Sequence, residues 1–400
     1  MKAGWTTKRI SEICDVVNGG TPKTGVADYW DGQHLWITPA EMGKRSTPYI
    51  KKTARTLTDS GLSNCSARLL PPFSVILSSR APIGHLVINT EPMATNQGCK
   101  GLVPNKATHH KFLYYYLASI VDLLNDLGSG TTFKELSGSK LKEVSVPVPL
   151  FPEQQRIVGI LDEAFDGITT AKANAEKNLQ NTRALFESHL QSVFTRRGEG
   201  WVEKPLGEIC ERITKGSSPK WQGIAYVDKP GILFVTSENV GEYQILMDHP
   251  KYVDEKFNAK DRKSILKPGD VLTNIVGASI GRTAVFNLDE LANINQAVCL
   301  IRCQPTLLNN FFLTYLLNSP IFKQVLHDNE VDNARANLSL GFFSQLPVPM
   351  PSIPKQIEIV EKLNTFREKT QCLESIYQQK LDALDALKKS LLHQAFTGSL

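Results

Sequence analysis

Long apolar runs, a hydrophobic leader and a paired set of cysteines are all missing from this chain. No stretch approaches the roughly eighteen consecutive apolar residues that a membrane-spanning helix requires. The opening Met1-Lys2-Ala3-Gly4-Trp5-Thr6-Thr7 lacks the hydrophobic region of a secretory leader. The cysteines number 7, an odd count, and lie scattered in apolar segments such as those around Cys14, Cys210 and Cys299, which suits reduced thiols rather than a disulfide framework. The expectation is a soluble, cytoplasmic protein with no membrane association.

Catalytic constellations are missing too. Gly20 to Gly25 has the glycine spacing of a phosphate-binding loop, but Val26-Ala27 follow where lysine and a hydroxyl would hold phosphate and metal. No G-x-G-x-x-G follows a strand-like run. Leu70-Pro71-Pro72-Phe73 resembles an amino-methyltransferase motif, yet that chemistry needs an amide or carboxylate at the first position, and leucine accepts no hydrogen bond. A strand-initiating turn is the better reading. Cys299 and Cys303 have no histidine or second cysteine pair beside them, so they read as structural thiols rather than a zinc site. The Asp248, Asp254, Glu255, Lys256 cluster reads as a solvated loop. The chain is expected to be a non-enzyme with no cofactor and no metal.

What is present is a domain-sized unit written twice. At 400 residues and 41% hydrophobic content, two or more cored domains are expected. Ser11-Glu12-Ile13-Cys14 returns as Gly207-Glu208-Ile209-Cys210, and Asn18-Gly19-Gly20-Thr21-Pro22-Lys23 as Lys215-Gly216-Ser217-Ser218-Pro219-Lys220. Later blocks keep the same order: Leu70 to Leu77 with Leu266 to Leu272, Pro82-Ile83-Gly84 with Ser279-Ile280-Gly281, Thr95-Asn96-Gln97 with Ile294-Asn295-Gln296, and Gln154 with Gln356. A period near 200 residues is far beyond a solenoid repeat and means two whole domains related by a pseudo-two-fold. Alternating runs at Ser74–Leu77, His85–Ile88, Asp270–Asn274 and Thr283–Phe286 predict short strands. Phe112–Leu124 and Phe311–Leu317 predict amphipathic helices. The fold class is therefore α+β, each unit holding one curved, mostly antiparallel sheet with flanking helices.

Each copy ends in Val146-Pro147-Val148-Pro149 or Leu346-Pro347-Val348-Pro349, then a further proline (Pro152, Pro354), then about forty residues free of proline. Proline suits the first turn of a helix and not its interior. Ile157, Leu161, Ala164, Ile168, Ala171, Ala175, Leu179, Thr182, Phe186, Leu190 and Val193 recur at three and four; Phe366, Thr370, Leu373, Tyr377, Leu381, Leu384, Leu391 and Ala395 do so more loosely. Polar residues between them make this a coiled-coil seam. An intramolecular antiparallel pair is favoured over a dimerisation coiled coil between chains. The outward face would carry Glu163, Lys172, Lys177, Arg183, Lys362, Lys369 and Lys388. The expected domains are residues 1–152, a first helix 153–198, residues 199–352 and a second helix 353–400, with formal net charges of +6, 0, −2 and +1. A basic first unit suits a polyanion; the second would need a local patch.

Three paired loops carry groups that bind phosphates and base edges. The first offers Thr21 and Lys23, and in the second copy Ser217 and Lys220. The next offers Ser79 and Arg80, matched by Asn274, with Arg282 close behind it; Arg80 has the donors to grip guanine, and Asn274 those to grip adenine. The third offers Thr132 and Lys134, matched by Arg335 and Asn337.

With the paired Val-Pro-Val-Pro…Pro-Glu-Gln-Gln-Arg-Ile-Val (146–158) and Leu-Pro-Val-Pro…Pro-Lys-Gln-Ile-Glu-Ile-Val (346–360), the Pro-Gly-Asp-Val-Leu…Ile-Gly-Arg-Thr…Asn-Gln series and Ala395-Phe396-Thr397-Gly398, the chain resembles the specificity subunits of Type I restriction–modification systems over essentially its whole length. The first copy departs with Pro72-Phe73-Ser74 where Gly269-Asp270 stand, so that turn is expected to differ in shape. The resemblance implies two target-recognition domains, each reading one half of a bipartite, asymmetric double-stranded DNA site. It also implies helices that set the gap and dock two methyltransferase subunits, with restriction–translocase subunits joining through these. Catalysis would belong to those partners. The competing reading is a tandem-domain protein-interaction scaffold without DNA specificity.

Overall fold

The protein is described by a computed structural model covering residues 4–45, 47–130, 134–228, 231–330 and 336–400. It forms two units, residues 1–176 with 379–400 and residues 177–378.

In the first unit, β1 (Thr6–Arg9) starts the chain, followed by β2 (Cys14–Asn18), β3 (Trp30–Ile37), β4 (Tyr49–Ile50), β5 (Arg55–Leu57), β6 (Val75–Ser79), β7 (Ile83–Asn89), β8 (Met93–Thr95), β9 (Cys99–Pro104) and β10 (Ser145–Val148). They make a five-stranded sheet β2-β9-β6-β7-β4, a three-stranded sheet β5-β3-β8 and a two-stranded ribbon β1-β10. The single-sheet expectation is thus corrected: each unit has two larger sheets. The second sheet is made by pairing β3 parallel to β8 (Leu35 opposite Met93), segments about sixty residues apart, and no local alternation signals such a pairing. Helix α1 (His110–Ser119) lays Phe112, Leu113, Tyr116 and Leu117 on the apolar interior. The ribbon is where proline-rich β10 fits, because Pro147 has no N–H to give to a second neighbour.

The second unit repeats this frame with β11 (Val202–Pro205), β12 (Cys210–Lys215), β13 (Tyr226–Val227), β14 (Ile232–Val235), β15 (Tyr252–Val253), β16 (Asp270–Asn274), β17 (Thr283–Phe286), β18 (Ala292–Ile294), β19 (Val298–Cys303) and β20 (Pro347–Met350). The order β12-β19-β16-β17 copies β2-β9-β6-β7, the ribbon β11-β20 copies β1-β10, and β14 runs parallel to β18 as β3 does to β8. The expected change of turn shape at Phe73 is also corrected. Phe73 adopts φ 66° where Gly269 adopts φ 95°, and each donates its backbone N–H across the hairpin, to Asn89 at 2.7 Å and to Phe286 at 2.8 Å.

The long helices are α2 (Phe151–Thr195) and, after α3 (Asn310–Leu317), α4 (Ile353–Thr397). Their prolines, Pro152 and Pro354, occupy the second helical position. Each start is anchored by a fully buried glutamine. Gln154 accepts the His109 N–H (2.8 Å) and donates to the carbonyls of Ala107 and Pro149 (both 3.0 Å). Gln356 repeats this with the Asn309 N–H (2.8 Å) and the carbonyls of Leu307 (3.0 Å) and Pro351 (2.9 Å). In both units α2 and α4 pack against each other antiparallel: Lys172 bonds Asp385 in the first, Arg183 bonds Glu374 in the second. Ile157, Leu161, Ile168, Ala175, Thr182, Leu190, Thr370 and Ala395 are buried as the seam predicts; Leu373 is 41% exposed and is not part of it. Arg183 and Lys388 are exposed and Lys172 half-buried, as an outward face expects, but none of the three is free: Lys172 and Arg183 belong to these cross-helix pairs and Lys388 sits 5.2 Å over the Phe165 ring. Flanking the seam, an acid on the facing helix captures Lys172 and Arg183, and an aromatic ring lies under Lys388.

The two α1-type helices differ at their caps. The Asn309 carboxamide accepts the Phe312 N–H (3.0 Å), whereas His109 makes no side-chain cap and its buried Nδ1 has no partner among the described residues. His109→Asn is therefore expected to stabilise the first unit by about 0.5–1.5 kcal/mol at neutral pH. Burial holds the His109 imidazole below its ordinary value and pushes that of His110 down to about 4. The folded state then binds fewer protons than the unfolded chain, so stability falls as the pH drops from about 6.5 toward 4. Replacing both histidines by the asparagines of the second unit should flatten that slope, as read by urea midpoints at pH 7 and pH 5.

Candidate nucleic-acid interface

The loop leaving β2 is held by a close backbone approach. A Cβ on Gly19 would lie 1.9 Å from the Asn96 carbonyl oxygen, and the Gly20 N–H donates to Thr95 O at 2.9 Å. Only glycine allows this contact. Thr21 accepts from Asn96 Nδ2 (2.8 Å) and donates to Gln97 Oε1. Lys23 is exposed, with its carbonyl taking the Trp30 indole N–H at 3.4 Å. Arg80 lies over the same turn, since a Cβ on Gly98 would meet its Cγ at 3.1 Å. Its guanidinium is 3.8 Å from Glu135, and the Leu136 N–H donates to Ser79 O at 2.9 Å. Thus the loops bearing Thr21, Arg80 and Lys134 converge on the turn 95–98. Ser79 is a correction: it is fully buried in the sheet, where a strand-end residue alternates inward, and does not face a ligand. Lys134 is exposed; Thr132 lies outside the described residues.

The second unit builds its copy from different side chains. A Cβ on Gly216 would lie 1.8 Å from Ile294 O, so this loop is pinned to the Ile294–Ala297 turn. Ser217 donates to Asp261 Oδ2 (2.6 Å) and accepts from Gln222 Nε2. That is a second correction: its hydroxyl is occupied in bracing the loop rather than open to phosphate. Asn274 is a third. It is fully buried at the end of β16, its Nδ2 donating to the carbonyls of Ser237 (2.9 Å) and Val240 (3.2 Å) in the loop between β14 and β15. Lys220 and Arg282 are exposed, and Asn337 pairs its backbone with Val276; Arg335 lies outside the described residues.

A family model described as the Type I restriction modification DNA specificity domain matches residues 2–180 and 198–381. The chain belongs to this family. It is 34% identical over 247 residues to the Type I restriction enzyme MjaIX specificity subunit of Methanocaldococcus jannaschii, an alignment covering 58% of this chain and 57% of that protein. It is 26% identical over 355 residues to the EcoBI specificity subunit of Escherichia coli, covering 82% and 74%. The chain therefore spans little more than half of the first of these relatives. By fold it is similar to a chain solved in work on assembly and conformational transition of the type I R-M system (TM-score 0.83, 18% identity, 100% and 99% covered). It is also similar to the HsdS subunit of Thermoanaerobacter tengcongensis (TM-score 0.63, 18% identity, 100% and 98% covered).

In this member of the specificity family, sequence reasoning missed the centre of each loop cluster. Asn96 and Gln97 were visible only as a repeated Asn-Gln pair. Lys100, buried in β9, stands within electrostatic reach of Glu135 and Arg80, and burial holds its ammonium below the ordinary lysine range. The local basic patch that the second unit lacked by net charge is formed by folding. Lys260 Nζ donates to Gln222 O (2.8 Å) and Arg212 to Lys263 O (3.1 Å), which brings the β12 loop against residues 256–263. Arg212, Lys215, Lys220, Lys260, Arg262 and Lys263 are all exposed there, Glu255 being an exposed acid of that segment, while Asp261 is buried. Among the described residues no helix is long and apolar enough to cross a membrane, and no cluster of potential metal ligands occurs.

Proposed function

We propose that this chain is the DNA specificity subunit of a Type I restriction–modification complex. Its recognition domains would be residues 1–152 and 199–352, each reading one half of a bipartite target. The observation that carries the reading is the duplicated frame with pinned loops whose side chains differ: Thr21, Gln97 and Arg80 in one, Lys220 and its basic neighbours in the other. Equal frames with unequal loops make unequal half-sites, hence an asymmetric target. Two methyltransferase subunits dock on the outer faces of α2 and α4, where Leu185, Leu373 and Ile376 are exposed. Restriction–translocase subunits join through them, and catalysis lies in those partners. The complex works in the cytoplasm on the cell's DNA. Methylome sequencing of cells carrying the chain with its partner subunits tests the reading: an asymmetric, interrupted methylation motif supports it, and no motif dependent on this chain overturns it.

Phosphate and base contacts separate by their salt dependence. Lys23→Ala and Lys220→Ala should weaken binding to every duplex and each reduce the slope of log K against log salt by about 1. Arg80→Ala should leave most of that slope intact and relax discrimination at one base pair by about 1–3 kcal/mol. An Arg80→Ala complex with the original motif would rule out its role in reading a base.

A further inference from the structure

Trp221 is 83% exposed, more open than any other large apolar side chain among the described residues. An indole alone on a surface means little, but this one rides on a braced turn beside two cations, Lys220 and Lys260. It occupies the centre of a short 3₁₀ turn, Lys220–Gln222, closed by Gly223 in the left-handed region at φ 68°. Backbone bonds from Gln222 and Ile224 to Pro219 O (both 3.0 Å) and from Gly223 to Lys220 O (3.2 Å) fix the turn. Side chains brace it from below, through Gln222 to Ser217, Ser217 to Asp261, and Lys260 to the Gln222 carbonyl. The ordering entropy that a flexible loop would lose on binding is already spent.

A ligand that gains from both a flat apolar ring and the neighbouring Lys220 and Lys260 must be a polyanion with π faces. Nucleic acid has that chemistry. We propose that Trp221 is a specificity-determining wedge, packing its indole against a base step of the half-site read by the second unit. The inference rests on the function proposed above and adds a residue and a mode of reading to it. Side chains of this kind unstack a step and kink the duplex, and the cost depends on the sequence deformed, least at flexible pyrimidine–purine steps. No tryptophan stands at the matching position of the first unit. Thr24 follows Lys23 where Trp221 follows Lys220, and Trp30 and Trp36 are buried. Deformation is therefore expected in one half-site only.

Of the five tryptophans, Trp5 and Trp201 are half-buried and Trp30 and Trp36 buried, so iodide quenching of the whole chain reports chiefly on Trp221. Titration of the chain with its methyltransferase partners by a random-sequence duplex at low salt should abolish the quenchable fraction that the parent complex shows in excess of a Trp221→Phe complex. Trp221→Ala should lower affinity for the methylated-motif duplex roughly 5- to 100-fold, while Trp221→Phe retains most of it. The random-duplex salt slope should stay unchanged in both variants. Duplex binding that leaves Trp221 quenchable, with Trp221→Ala as tight as the parent, overturns this inference alone. A parent complex that binds no duplex overturns the underlying function and this inference with it.

Discussion

Asp270→Ala is expected to destabilise the second unit by about 3–5 kcal/mol. Asp270 is 1% exposed and grips Arg302 through two parallel bonds of 2.7 Å, Nε to Oδ1 and Nη2 to Oδ2. Its Oδ2 also accepts the Lys267 N–H at 2.8 Å, closing the turn into β16. Removing the carboxylate strands a guanidinium that is itself largely buried, with the Ile265 carbonyl (3.2 Å) as its remaining hydrogen-bond acceptor among the described residues. The cost is mainly that of an unpaired buried charge. It does not measure what the pair contributes, because replacing both partners by groups of suitable shape is often near neutral.

The first unit carries such a replacement. Ser74 stands where Asp270 does, its hydroxyl turned to Pro71 O at 2.7 Å, and Val103 stands where Arg302 does. Asp270→Ser combined with Arg302→Val should therefore recover most of the stability lost in Asp270→Ala, a strong coupling for residues in direct contact. Urea unfolding of the parent, the Asp270→Ala chain and the double variant, followed by circular dichroism, decides it. A single variant within about 1 kcal/mol of the parent would mean that Arg302 finds water or another acceptor, and that the pair is dispensable.

Local signals were legible and distant partnerships were not. Strands β16 and β17 fall where the alternation of Asp270–Asn274 and Thr283–Phe286 put them, and the long helices begin within two residues of the expected bounds. Proline fixes a helix start from within the chain itself. The second sheet was invisible because β8 and β18 are three residues long and find parallel partners far away in sequence. Asn274 misled for a related reason. An asparagine at the end of a strand has the donors for adenine, and nothing in its neighbourhood says that the Ser237 and Val240 carbonyls, more than thirty residues earlier, will take them. Periodicity likewise located the α2–α4 seam but left open which charges beside it would pair. Gly19 and Gly216 were present in the aligned blocks, and the close approaches that require them appear only in three dimensions.

Lengthening both long helices by four residues should move the methylation target without changing what either half reads. Lys172 pairs with Asp385 and Arg183 with Glu374, so eleven residues forward along α2 correspond to eleven back along α4. Counted on from either pair, that register puts an insertion after Asn178 in step with one after Gln378. Matched insertions there keep the seam in step, whereas an insertion into α2 alone would set its apolar positions against the wrong partners. Four residues add about 6 Å and turn the helix by about 40° beyond a full turn. At roughly 3.4 Å per base pair, the gap between half-sites should grow by one or two base pairs, and modification of the original site should fall to background. Methylome sequencing with the partner subunits reads both quantities at once. Altered half-sites with the old gap would show that the helices do not measure the distance. Unaltered modification of the original site would show that the recognition domains find their half-sites without a fixed ruler.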